Sequence, residues 1–466
     1  MVNQNLFQKT LRKWCYSAMK TVFVLLLFGF PMVLTQPGRA QEASDPLVLS
    51  FNRAQELALK ENPQIRAAEK SVTQAESQVT GARGRFMPDV SAFGNYTHNF
   101  ELPVFTIDFG GRQQTLRAGT EENISTGLRL EQPIYMGGAI RSGYQIAEFN
   151  TEISSNQALL QQQAVLIQVR QSFYRVLYTE QLIEVAQDAL RNAERNLEIV
   201  RRQSELGTAS GFDVLRAEVQ VANTRPQLIA ANHQHEQALT SLRTAIGLDP
   251  TQPINVEGEL KQQESKWTDS SIQSLQKQAF ENRYELRNMK MQQRIQQQNL
   301  SIAKANLLPK VSASSSWQYQ MQDKDVAFDR DKYYRSIAGG INVSMPLFTG
   351  WQNRTKVEQA QVALNQVTDT ERQVRHQIAA EVESAYYALV QAEEQLLSQH
   401  ETVGQARKAL QLAELRFKEG TSTQLDVLNA QLALQQAQTN ESQYLLQYNI
   451  ARDQLLRAMN LLKIES

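Results

Sequence analysis

Apolar residues recur every seven positions along two long stretches of the chain. In residues 139–206 the series runs Val169, Val176, Ile183, Leu190 and Leu197, and three positions further on lie Ser172, Thr179, Ala186, Ala193 and Val200. In residues 352–419 it runs Val382, Leu389, Leu396, Val403, Leu410 and Phe417, beside Ala385, Ala392, Gln399, Ala406 and Ala413. A sustained heptad makes helices coil around partners, and a seam of small residues lets neighbouring backbones approach closely. Each such helix is about 100 Å long at ~1.5 Å per residue, too long for the inside of a globular domain. The other faces carry Gln, Glu, Arg and Asn and suit water.

Shorter stretches alternate with period two. In 310–322, Val311, Ala313, Trp317, Tyr319 and Met321 face one way, and Ser312, Ser314, Ser316, Gln318 and Gln320 the other. In 336–346, Ile337, Ile341, Val343 and Met345 oppose Ser336, Asn342 and Ser344. Earlier in the chain Val90, Ala92 and Tyr96, then Ile124, Leu128 and Leu130, keep the same phase. Alternation over about ten residues with aromatics is what a transmembrane β-strand requires, although any strand with one wet face produces it. Four strands cannot close a barrel, and an open sheet edge cannot sit in lipid. A membrane barrel would therefore have to be shared between copies of the chain.

The chain is one unit written twice. Pro133-Ile-Tyr-Met-Gly137 matches Pro346-Leu-Phe-Thr-Gly350, 213 residues later. The same offset carries Gly207-Thr208 to Gly420-Thr421 and Asp213-Val-Leu215 to Asp426-Val-Leu428. Upstream, Phe86-Met-Pro88 matches Leu307-Leu-Pro309 at an offset of 221, so the extra eight residues fall in a loop between the prolines of the first half. Each half predicts a helix (51–84, 272–307), two short strands around a loop (101–119, 322–333), a very long helix, a polar turn (207–211, 420–424) and a return helix (212–247, 425–461). Pro226 predicts a kink or break in the first return helix only. The domain order is a signal segment (1–40), a first repeat (41–248), a linker (249–271) rich in polar residues with Pro250 and Pro253, and a second repeat (272–466).

The signal assignment rests on Lys9, Arg12, Lys13 and Lys20, then an apolar run over 21–34, then Gly38-Arg-Ala40 at a peptidase site. That segment holds five basic residues and no acidic one. Removing them from 48 basic and 48 acidic residues leaves 43 against 48, a net of −5. A mildly acidic chain has no electrostatic footprint for nucleic acid. The sole cysteine, Cys15, lies in the signal, so neither disulfides nor thiol chemistry carry the mature protein.

Together these features resemble the TolC-type outer-membrane efflux family over about residues 46–462. The most specific elements are the duplication, the Pro…Gly junctions (Pro133, Gly137, Gly138; Pro346, Gly350) and the Gly-Thr…Asp-Val-Leu turns. The resemblance implies a mainly α fold with a β-barrel part: a homotrimer whose twelve-stranded barrel in outer-membrane lipid continues into a periplasmic helical tube. It implies a passive exit duct for efflux or type I secretion, partnered by an inner-membrane transporter and a periplasmic adaptor docking at the tips, near Gly207, Thr208, Gly420 and Thr421. Substrate choice would rest with the transporter. The family's acidic entrance maps to Asp426, with Asn429 at the second acidic position and Asp213 as the first-half counterpart. A tyrosine–arginine brace of the family's closed tip maps to Phe417 and Ser422. Asp213 and Asp426 equally suit helix capping, where Asp accepts backbone N–H bonds and offsets the helix dipole.

No phosphate loop, metal motif or nucleophile elbow is present, so no cofactor, metal or enzymatic activity is expected. His233 and His235, two apart on a helix, do not face each other. Two rivals compete with a channel: a periplasmic coiled-coil adaptor, which has one hairpin and no full duplication, and a purely structural coiled coil, which needs no strands.

Overall fold

A computed structural model describes residues 46–324 and 332–462. The expected signal segment and residues 325–331 of the charged loop lie outside the described residues. The first half runs β1 (Leu47–Leu49), α1 (Phe51–Glu61), α2 (Pro63–Gly84), β2 (Asp89–His98), β3 (Val104–Phe109), β4 (Arg112–Arg117), β5 (Glu122–Tyr135), α3 (Ala139–Glu205) and α4 (Gly211–Ile246). The second runs β6 (Ile254–Val256), α5 (Ile272–Asn282), α6 (Tyr284–Ala305), β7 (Lys310–Asp323), β8 (Tyr334–Ser344), α7 (Gln352–Lys418) and α8 (Gln424–Ala458). The long helices α3 and α7, of 67 residues each, begin and end 213 positions apart.

Three local expectations are corrected. The helix expected over 51–84 is two helices. Asn62 ends α1 and opens α2, its side chain accepting from Gln64 N at 2.8 Å, and Pro63 disfavours helical backbone at Asn62. The second half breaks at Arg283, 221 positions on. The extra residues of the first half are not plain loop but the hairpin β3–β4, which turns at Gly110-Gly111, both at positive φ. Finally, α4 runs unbroken through Pro226. The buried Ala217, Thr224 and Ala231 hold it on either side of the proline, against the missing N–H and the crowding of the ring on the carbonyl four residues back.

The main sheet is antiparallel in the order β2-β5-β7-β8. Register places Val90 opposite Leu130, Ala92 opposite Leu128, Leu128 opposite Trp317, and Trp317 opposite Ile337, so the apolar sets of all four strands form one continuous face. The opposite face carries Ser91, Arg129, Ser316 and Ala338 among mostly small and polar residues. Within the described residues β2 and β8 are edges, each paired on one side only. Among those residues no helix is long and apolar enough to cross a membrane.

The strand-to-helix junctions explain their glycines. Pro133 sits at a register shift in β5, where it has no N–H to donate. Gly137 (φ 62°) passes so close to α6 that an added Cβ would lie 2.8 Å from the Ala305 carbonyl oxygen. Gly350 (φ 58°) has open space at the same point. Gly138 (φ 89°) is matched by Trp351, which holds the left-handed conformation (φ 68°) against its β-carbon.

Among the described residues two large apolar clusters form most of the core, one drawn mainly from each repeat, and a small third one joins Leu166, Ile167 and Leu462. The first joins Leu49, Ile65, Val169, Phe173, Val176 and Leu242; the second joins Leu275, Leu286, Val382, Leu389 and Leu455. The heptad seams enter both, but lower down the first helix buries its small series (Ala186, Ala193, Val200), while the second buries its large one (Val403, Leu410). Residues 249–271 are more than a tether. Their strand β6 pairs in parallel with β1, Leu260 is buried, and Asn449 of α8 binds the Lys261 carbonyl at 3.0 Å. Between the two clusters, Arg170 of α3 reaches Asp453 of α8 at 3.1 Å, with Gln55 at 2.8 Å and the Phe51 ring centroid at 5.2 Å. Burial pushes the Asp453 carboxyl above its ordinary range, and the nearby Arg170 and Arg452 oppose that shift.

Candidate functional site

Both long helices end in the same construction. Gly207 (φ 75°) and Gly420 (φ 73°) turn the chain left-handed. The N–H of Thr208 then bonds back to the Gln203 carbonyl at 2.8 Å, and that of Thr421 to the Arg416 carbonyl at 2.9 Å. The threonine hydroxyls donate to the same two carbonyls, at 3.0 and 3.1 Å. This double closure satisfies orphan carbonyls at the helix end and accounts for the Gly-Thr pair in both halves.

The return helices open on capping boxes. Asp213 N–H donates to the Ser210 hydroxyl at 3.2 Å, and its carboxylate accepts the Ser210 N–H at 3.1 Å. Asp426 and Thr423 repeat this at 3.3 and 2.9 Å. Ser422 adds its hydroxyl to the Asp426 carboxylate at 3.1 Å. The Ser210 hydroxyl, then its N–H, hold the Asp213 carboxyl below the ordinary carboxylate value. For Asp426 the Thr423 N–H leads, followed by the Thr423 and Ser422 hydroxyls. Both side chains are ionised at neutral pH, and both cap helices. Asn429 lies exposed one turn beyond Asp426.

The two tips meet. Gln424, the first residue of α8, is only 5% exposed, and its amide donates to the Asp213 carbonyl of the first hairpin at 3.2 Å. Sequence reasoning passed over this residue, although its repeat counterpart is Gly211 and the difference was visible. Phe417 is half-buried in a groove of about 360 Å³ formed by α3, α7 and α8 and walled by Asn192, Ile199, Glu414 and Val427. Leu206, Phe212 and Leu215 stand out into solvent at the tip, Leu206 at 80% exposure, with Arg216 over the Phe212 ring at 4.7 Å. Among the described residues no group of three or more His, Cys, Asp or Glu could hold a metal.

The four-stranded sheet has one continuous apolar face, and helical hairpins about 100 Å long run from it to ionised tips. The chain belongs to the outer membrane efflux protein family, whose profile matches residues 54–248 and 275–461. It is 25% identical to the pyoverdine export outer membrane protein OpmQ of Pseudomonas aeruginosa over 82% of this chain and 78% of that one. It is 23% identical to the outer membrane protein TolC of Vibrio cholerae over 88% of this chain and 90% of that one. The fold is shared with the Campylobacter jejuni CmeC outer membrane channel, with TM-score 0.71, 15% identity, and coverage of 88% and 85%. The protein is an outer-membrane exit duct with a periplasmic helical tunnel. That membership sets aside the adaptor and the purely structural coiled coil.

Proposed function

We propose that three copies close one barrel, the free edge of β2 in each protomer pairing with β8 of the next, so that three four-stranded sheets give twelve strands. The apolar face meets outer-membrane lipid and the polar face lines the passage. Below it, the hairpins of three protomers form the periplasmic tube, with Asp426, Asn429 and Asp213 near its entrance. The exposed Leu206, Phe212 and Leu215 give a periplasmic adaptor an apolar foothold on the tips, beside Gly207, Thr208, Gly420 and Thr421. An inner-membrane transporter supplies the cargo and the energy. Relatives named for pyoverdine export and for alkaline protease secretion show both small-molecule and protein cargo among similar chains.

The observation that carries this reading is the sheet: one apolar face with two unpaired edges. An unclosed edge cannot rest in hydrocarbon, and neighbouring copies are the closure nearest to hand. The test is planar-bilayer conductance of detergent-purified protein, with native mass spectrometry of the same sample. Trimers with discrete channels are expected, and Asp426→Ala should weaken cation preference. A monomer that forms no channels refutes the shared barrel; channels unaffected by Asp426→Ala reduce that residue to its cap.

A further inference from the structure

We infer that Gln424 is a clasp fastening the tip of the second hairpin to the first, and that it positions the tunnel entrance. The inference rests on reading the tips as that entrance.

Gln424 begins α8 directly after the Thr423 cap, among exposed neighbours: Thr423, Leu425 and Asp426 are all open to solvent. A long, flexible amide at such a place belongs in water. Instead it is buried, and it spends its N–H on a carbonyl of the other hairpin. That carbonyl belongs to Asp213, whose side chain closes the first capping box. The clasp therefore joins one cap to the other. It is one-sided, because the first hairpin has Gly211 at the matching position and offers no reciprocal arm. The residues at 417 and 422 do not substitute for it. Phe417 has no polar group, and the Ser422 hydroxyl is turned onto Asp426 of its own hairpin.

Three turns higher, Gln435 of α8 donates to Gln227 of α4 at 2.8 Å, again hairpin to hairpin, but this pair is exposed and water can replace it. Gln424 is the buried link. Its own Oε1 is buried without a hydrogen-bond partner among the described residues. One bond is made and one acceptor is left dry, so separating the tips loses the first and rehydrates the second. A clasp balanced in this way holds the tips together and still releases.

The test places spin labels on the exposed Glu205→Cys and Glu419→Cys, in purified full-length protein diluted with unlabelled copies, and measures their separation by pulsed electron resonance. Gln424→Glu, nearly isosteric but without the N–H, and Gln424→Ala are compared with Gln435→Ala; thermal melting checks that each variant folds. The expected result is one narrow distance in the parent and in Gln435→Ala, a shift to a longer and broader distribution in both Gln424 variants, and higher single-channel conductance in those two. An unchanged narrow distance in both overturns the clasp. A shifted distance with unchanged conductance overturns its role at the entrance. A parent without pores refutes the tunnel reading itself, and the distances then still decide whether the clasp exists.

Discussion

Removing Asp453 is the sharpest test of how the two repeats are held together. Its carboxylate is 0% exposed and Arg170 is 1% exposed, so the pair is fully withdrawn from water. Asp453→Ala leaves the Arg170 guanidinium buried beside Gln55 and the Phe51 ring but without this carboxylate. Stranding one partner of a buried pair costs about 3–5 kcal/mol. Arg170→Met costs less, because Asp453 keeps Arg452 at 3.2 Å. The double replacement Arg170→Met with Asp453→Leu should fall near the parent, since buried pairs exchanged for apolar residues of similar volume are often neutral. Urea unfolding of the detergent-solubilised protein, followed by helical circular dichroism, gives the three differences and their coupling. The pH dependence separates the two single variants. Burial raises the folded-state value of Asp453 above its unfolded one, so its contribution to stability is present in acid and lost as pH rises through the folded value. Without Arg170 that rise is larger. Arg170→Met should therefore recover part of its loss on acidification, relative to the parent, and Asp453→Ala should not. Two single variants within about 0.5 kcal/mol of the parent would refute the buried-pair argument, since that is the range of an ordinary surface change.

Gly137→Ala should destabilise more than Gly350→Ala in the same unfolding assay. Both meet the left-handed penalty of about 1–2 kcal/mol, but only the former also drives a β-carbon into the Ala305 carbonyl; equal losses would refute the close approach. Trp351→Gly should regain about 1–2 kcal/mol of backbone strain in that assay, and a loss would show that the indole contributes more than its conformation costs. The caps at Asp213 and Asp426 have lowered folded-state values. Their stabilisation is present above the ordinary value and lost as pH falls through the folded one. A spin label at Glu419→Cys should thus keep constant mobility near neutrality and loosen only below about pH 4; loosening near pH 6 would point to another group.

The duplication, the long helices and the phase of the strands were legible because each is a repeated pattern in which many residues agree. The 213-residue offset returned the bounds of α3 and α7 to within a residue or two. What was missed depends on single residues or on partners distant in sequence. Asn62-Pro63 was visible as a helix boundary, but the apolar pattern continues across it, and pattern outweighed the proline. Gly110-Gly111 was likewise a hairpin signal inside what looked like a loop. Pro226 misled in the other direction: the buried Ala217, Thr224 and Ala231 outweigh its missing N–H and the crowding of its ring. Arg170 with Asp453, and Gln424 with Asp213, join positions 283 and 211 residues apart. Nothing local marks such pairs. Yet in each case the repeat alignment sets a different residue opposite: Glu383 for Arg170, Thr240 for Asp453 and Gly211 for Gln424. Places where a duplicated chain disagrees with itself are where its specialised contacts lie.

The unpaired edges of β2 and β8 also bear on gene dosage. In the proposed trimer each protomer completes two others, so a subunit with a defective edge spoils every ring it enters. If a cell makes normal and edge-defective copies in equal amounts, only about one-eighth of randomly assembled trimers contain no defective member. A proline placed in mid-β8, where it removes a donor from the ladder, would thus act as a poison even beside an intact allele. A substitution confined to the hairpin tips would still allow its barrel to form.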